Sequence, residues 1–158
     1  MTSTRARPSS RTWWMLVGLL LATFAVAGLG SLATTSGVDG WYQDADKPWF
    51  NPPNWLFAPV WTVLYAAMAV AAWLVWRRGG DLRLWWLQLL LNLAWTPVFF
   101  ALEQRWAGLV VIVALDIAIA LTLRSFWRVS RAAGVLLVPY LAWTLFATAL
   151  NLAIAALN

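Results

Sequence analysis

The chain contains no cysteine and no histidine. The first absence excludes a disulfide framework, a thiolate metal site and a cysteine nucleophile. The second removes the commonest metal ligand and the side chain best suited to moving protons near neutral pH. Charge is scarce as well. Only 11% of the 158 residues are charged, against about 25% in a soluble domain. The acidic residues offer no general acid–base pair, and Asp39, Asp44 and Asp46 lack the ligand count of a calcium loop. They read as a solvated rim. What remains is apolar and aromatic: 63% hydrophobic residues and 14 tryptophans. That is a membrane composition, with the bilayer as the first expected partner.

A spanning helix needs about 20 mostly apolar residues. Five stretches qualify: 13–33, 55–76, 84–102, 106–126 and 134–157. The predicted architecture is an all-α integral membrane protein, a single five-helix transmembrane domain over 13–158 behind a basic tail at 1–12. Arg5, Arg7, Arg11, Arg77, Arg78, Arg83, Arg124, Arg128 and Arg131 fall on one side of this layout, and Lys47 and Arg105 on the other. The positive-inside rule then predicts a cytoplasmic N-terminus. The basic balance is thus a topology signal, and nucleic acid is not an expected partner. Helical spans point to a bacterial inner membrane, because barrels dominate the outer one. Ala25-Val26-Ala27 resembles a signal-peptide cleavage site. The apolar run continues past it to Ala33, so the reading adopted is an uncleaved first helix.

Polar groups within a span face the bundle interior, since unsatisfied polarity in hydrocarbon is costly. In the third span Gln88, Asn92, Trp95 and Phe99 share one helical face. Tyr140, Trp143, Ala147 and Asn151 do so in the fifth, and Trp61, Tyr65, Met68 and Ala72 in the second. Converging, these stripes would enclose an aromatic pocket suited to flat, largely apolar ligands. Trp13, Trp14, Trp76, Trp85, Trp86, Trp106 and Trp127 sit at span ends and read as interfacial belts. Asp116 is the only carboxylate inside a span, which makes it a functional candidate. Pro59, Pro97 and Pro139 lie inside spans, where each removes a backbone donor. The loop at 34–54 is long for a link without its own structure. It ends in WYQDADKPWFNPPNW, Trp41 to Trp55.

That stretch, followed by PVWTVLY, resembles the signature of the tryptophan-rich sensory protein and translocator protein (TspO/MBR) family. QLLLNLAWTPVFF and PYLAWTLFATALN are similar to two further family blocks. With the five-helix layout, the resemblance covers nearly the whole chain. It implies a homodimeric five-helix bundle that binds porphyrins such as protoporphyrin or haem, with no required cofactor or metal. It also implies a pocket beneath a lid formed by the 34–54 loop. Carried over, Trp41, Tyr42, Trp61, Asn92, Asp116, Trp143 and Ala147 contact the ligand, joined by Trp95 and Tyr140 from the stripes. Some members degrade porphyrin in light through two tryptophans, and Trp41 and Trp143 would take those places. No basic residue follows Arg131, so Tyr140 cannot complete the family's sterol element, which tells against sterol binding. The third span also lacks G-x-x-x-G. The expected function is porphyrin transport, sensing or disposal. The alternatives are a light- or oxygen-dependent porphyrin-degrading enzyme and a small proton-coupled exporter using Asp116.

Overall fold

A computed structural model describes residues 9–158. Arg5 and Arg7 of the basic tail lie outside the described residues. α1 spans Ser10–Val38, and α2 is a single turn, Trp41–Asp44. A 3-10 turn, Asn54–Leu56, leads into α3, Phe57–Trp76. α4 covers Arg83–Thr96 and continues as a π-helical turn, Pro97–Ala101. α5 runs over Arg105–Val129 and α6 over Arg131–Leu157. Five of these segments, α2 excepted, are long and apolar enough to cross a membrane. Helices suit that solvent because each satisfies its own backbone.

α1 extends past the expected end at Ala33. The polar residues that follow pair with the helix itself. Thr34 donates to the Gly30 carbonyl at 2.9 Å, Thr35 to Ser31 at 2.7 Å and Ser36 to Ala33 at 2.8 Å. Their hydroxyl donors therefore cost nothing in an apolar setting. The loop is shorter than 34–54 as a result, and Trp41–Asp44 adds its own turn.

At the arginine-rich end, α1 and α3 are pinned together. The Trp73 indole donates to the Thr12 carbonyl at 2.8 Å, and Trp13 stacks on Trp73 with centroids 5.4 Å apart. Gly79 closes α3 at φ 72, a left-handed conformation that glycine adopts without strain, and the next amide, that of Gly80, returns to the Val75 carbonyl. Arg78 crosses to the Val129 carbonyl at 2.8 Å. The α3–α4 and α5–α6 connections therefore sit at the same end.

Trp85 departs from the belt reading. It is fully buried, and its indole donates to the Met68 carbonyl at 3.1 Å. Its neighbour Trp86 points outward with Trp13, Trp14, Trp106 and Trp127. Pro97 explains the change of helix type in α4. Without its amide hydrogen the α pattern cannot continue. Leu102 bonds back to the Pro97 carbonyl and Gln104 to Val98. The wider turn buries both Phe99 and Phe100, and π turns of this sort recur at functional sites.

Candidate functional site

Beneath the connection between α1 and α3 lies a cavity of about 640 Å³, within the about 300–1,000 Å³ typical of small-molecule sites. Tyr42 closes it from the loop. Phe57, Trp61 and Tyr65 of α3, with Trp95 and Phe100 of α4 and its π turn, form an aromatic wall. The opposite wall belongs to α1: Phe24, Gly28, Ser31, Thr34, Thr35 and Val38 among others. A second, much smaller cavity of about 20 Å³, room for roughly one water, adjoins it. It shares Tyr42, Trp61 and Trp95 with the first and adds Trp143, Ala147 and Asn151.

The expected site residues divide into three groups. Tyr42, Trp61 and Trp95 line both cavities, while Trp143 and Ala147 line the small one. Asn92 and Tyr140 are buried behind the wall as its support. Tyr65 donates to the Asn92 carboxamide oxygen at 2.6 Å, and the Asn92 amide donates to the Tyr140 hydroxyl at 2.8 Å. Tyr140 in turn donates to Gln88 at 2.7 Å. This chain crosses α3, α4 and α6 and fixes the Tyr65 ring, on which Trp61 stacks at 5.5 Å. Trp95 is held in the same way, donating to the Asn151 oxygen at 3.1 Å, while the Asn151 amide donates to the Arg105 carbonyl.

Trp41 and Asp116 stand apart. Trp41 lines neither cavity. Its indole donates to the Phe100 carbonyl at 2.9 Å, and the Arg105 guanidinium lies 4.7 Å over its ring. It holds the loop to the π turn. Of the two tryptophans that the resemblance paired, only Trp143 faces a cavity, which it shares with Trp61 and Trp95. Asp116 also lines neither cavity. Thr148 donates to its Oδ2 at 2.6 Å, and its Oδ1 is buried with no partner among the described residues.

The loop is fastened at several points. Tyr42 is buried and donates to Asn51 at 2.7 Å. Burial pushes its phenol up to about 12, so it stays a neutral donor at physiological pH. The Lys47 ammonium sits 4.9 Å over the Tyr42 ring and donates to the Gln43 carbonyl. The Asn158 carboxamide pairs with the Asp46 backbone in both directions, at 2.9 and 3.0 Å. Trp49 and Trp55 project outward, as interfacial anchors do.

The α1 wall was not anticipated from sequence. A signal existed: Gly28, Ser31 and Thr35 recur at helical spacing on one face. Polarity this weak reads equally well as small-residue packing. Among the described residues the geometry offers aromatic surfaces for stacking and neutral hydrogen-bonding groups.

The TspO/MBR family profile matches residues 17–157. The tryptophan-rich protein TspO of Archaeoglobus fulgidus is 45% identical over 148 residues, covering 90% of this chain and 96% of the relative. The tryptophan-rich sensory protein of Cereibacter sphaeroides is 40% identical, covering 88% and 91%. The human translocator protein is 37% identical, covering 88% and 87%.

Proposed function

The chain belongs to the TspO/MBR family of multi-pass membrane proteins, and from that premise we propose that it binds porphyrins and similar flat, largely apolar ligands beneath its loop, in their transport, sensing or disposal. The observation that carries this reading is the cavity of about 640 Å³ walled by Phe57, Trp61, Tyr65 and Trp95 and roofed by Tyr42. Flat macrocycles gain most from such walls, since offset or edge-on aromatic pairs contribute about 0.5–1.5 kcal/mol beyond area burial. The Trp143 indole N–H is buried without a partner and borders the small cavity. A ligand acceptor reaching into that space would satisfy it. Without histidine or cysteine, an axial bond to haem iron would fall to a less common donor such as tyrosine, so a metal-free porphyrin suits the site well. The arginine bias supports a cytoplasmic N-terminus in a bacterial inner membrane. Homodimerisation is proposed with it, by family likeness.

Titration of the purified protein with protoporphyrin, followed by tryptophan quenching, tests the reading. Saturable binding is expected. Trp61→Leu and Trp95→Leu should each weaken it about three- to tenfold, from the stacking energy above. Absence of saturable binding would remove the assignment.

A second reading is porphyrin breakdown under light. It is favoured by Trp61 and Trp143 lining one cavity, with Trp61 stacked on Tyr65. Illumination with bound protoporphyrin should then yield a product, lost in Trp143→Phe and kept in Trp41→Phe. No product from the unaltered protein rules it out.

A further inference from the structure

The large cavity is not enclosed on its α1–α3 side. Phe24, Gly28, Ser31 and Thr35 follow one another at i, i+4, i+7 and i+11 along α1. All four line the cavity, and all four are exposed. Across from them Ala58 and Thr62 of α3 do the same. Residues that are at once cavity wall and exposed mark an opening. Because α1 and α3 are membrane-spanning, that opening faces lipid.

The frame around it is rigid on the remaining sides. Trp73 and Thr12 clamp the two helices at the arginine-rich end. On the far side α1 is seated on the π turn, where a Cβ at Gly37 would lie 2.5 Å from the Phe100 carbonyl oxygen. Above, Trp41 ties the loop to the π turn and Asp46 ties it to Asn158, while Tyr42 and Lys47 brace it internally. The route through water therefore needs several bonds to break, and the route through the bilayer needs none.

The chemistry of the mouth is graded along the membrane normal. Asp39, Asn54 and Thr35 lie at the loop end, while Phe24 and Ala27 lie deeper. The hydroxyls of Ser31, Thr34, Thr35 and Thr62 donate within their own helices, at 2.7 to 2.9 Å. They leave a smooth wall without an unpaired donor to desolvate. No lysine or arginine lines the mouth. An acidic group on a ligand would thus stay at the interface, where charge is cheap, while the apolar body moved inward.

We propose that the cavity is loaded sideways from the leaflet on the loop side, through the mouth between α1 and α3, by a flat amphiphile already dissolved in the bilayer. The proposal rests on the porphyrin-binding reading for its ligand and adds the route.

The experiment uses the full chain in lipid vesicles and protoporphyrin as the probe. Association is followed by stopped-flow quenching for the unaltered protein and for Trp41→Phe, which frees the loop from the π turn. Loading through the mouth leaves the observed rate unchanged in Trp41→Phe. Loading from water past the loop makes Trp41→Phe associate faster, and that result overturns the proposal. Gly28 supplies the variant at the mouth. A Cβ there meets nothing within 4 Å, so a side chain has room to start and Gly28→Trp narrows the opening. It should slow association and dissociation together by about one decade, within the span over which such rates vary among variants of one site. Faster dissociation would mean a damaged pocket instead of a blocked mouth. Thr62→Leu, on the opposite lip, repeats the test should the first variant fold poorly. Saturable binding with a rate raised by Trp41→Phe and unchanged by Gly28→Trp removes the route and leaves the porphyrin reading intact. Absence of binding removes both.

Discussion

Tyr140→Phe isolates one hydroxyl that ties α6 to α4. The phenyl ring keeps the packing of a fully buried side chain, so the loss is confined to hydrogen bonds. The hydroxyl accepts from Asn92 at 2.8 Å and donates to Gln88 at 2.7 Å. Interhelical bonds in membranes average about 0.6 and reach about 1.7 kcal/mol. Two of them give an expected loss of about 1–3 kcal/mol. Gln88 suffers most, because its Nε2 already lacks a partner and its Oε1 accepts only from Tyr140. Its carboxamide would be left wholly unpaired in the core. A second substitution makes the reasoning sharp. Gln88→Leu alone should destabilise, since it strands the Tyr140 hydroxyl. In the Tyr140→Phe background it should be neutral or stabilising, because replacing both partners by apolar groups removes the desolvation penalty. The non-additivity should exceed about 1 kcal/mol. Unfolding in mixed detergent–dodecyl sulfate micelles, followed by circular dichroism, measures all four proteins. A Tyr140→Phe effect below about 0.5 kcal/mol, or an equal cost of Gln88→Leu in both backgrounds, refutes the network as a source of stability.

Other outcomes follow from the same geometry. Tyr42 titrates near 12 when folded and near 10 when unfolded. The folded state holds that proton more tightly, so this contribution is whole below pH 10 and is lost as pH rises towards 12. The loss is at most about 3 kcal/mol. Alkaline unfolding of Tyr42→Phe should lack this component, and an identical profile would contradict it. Gly37→Ala places a carbon against the Phe100 carbonyl and should cost about 1–3 kcal/mol through overpacking, read from the same micelle unfolding. Trp41→Phe removes the bond to Phe100 and weakens the contact with Arg105. It should loosen the loop, seen as faster proteolysis between Trp41 and Trp55, while shifting porphyrin affinity less than Trp61→Leu does.

The sequence carried most of the bundle and part of the site, and the division has a physical cause. Spans are legible because crossing a bilayer demands about 20 apolar residues whatever the tertiary context. Inward faces are legible because polarity must be satisfied inside. Gln88, Asn92, Trp95, Tyr140 and Asn151 were turned inward on that ground, and all five are buried. Three bonds joining them, Asn92 to Tyr140, Tyr140 to Gln88 and Trp95 to Asn151, run between helices. Trp85 was assigned to a belt by its place at a span end. The stripe already contained the better answer, since Trp85 precedes Gln88 by three positions and Asn92 by seven, which puts it on the inward face.

What stayed illegible is the role of α1. The hydroxyls of Thr23, Ser31, Thr34, Thr35 and Ser36 are each paired with the helix's own backbone, so none of them demands a partner elsewhere, and inference from unsatisfied polarity has nothing to work on. Its glycines are equally silent. Gly37 is required by close approach to Phe100, whereas a side chain at Gly28 would meet open space, and the letter is the same. The distinction exists only once the π turn at Pro97 has set where Phe100 lies. A helix contributes to a pocket either by what it projects or by what it leaves out. α3 and α4 do the first, with large rings that periodicity exposes. α1 does the second, and an omitted side chain becomes a wall or a mouth only in relation to the helix opposite. The helix that reads as the plainest anchor in the sequence is therefore the one that governs access to the cavity.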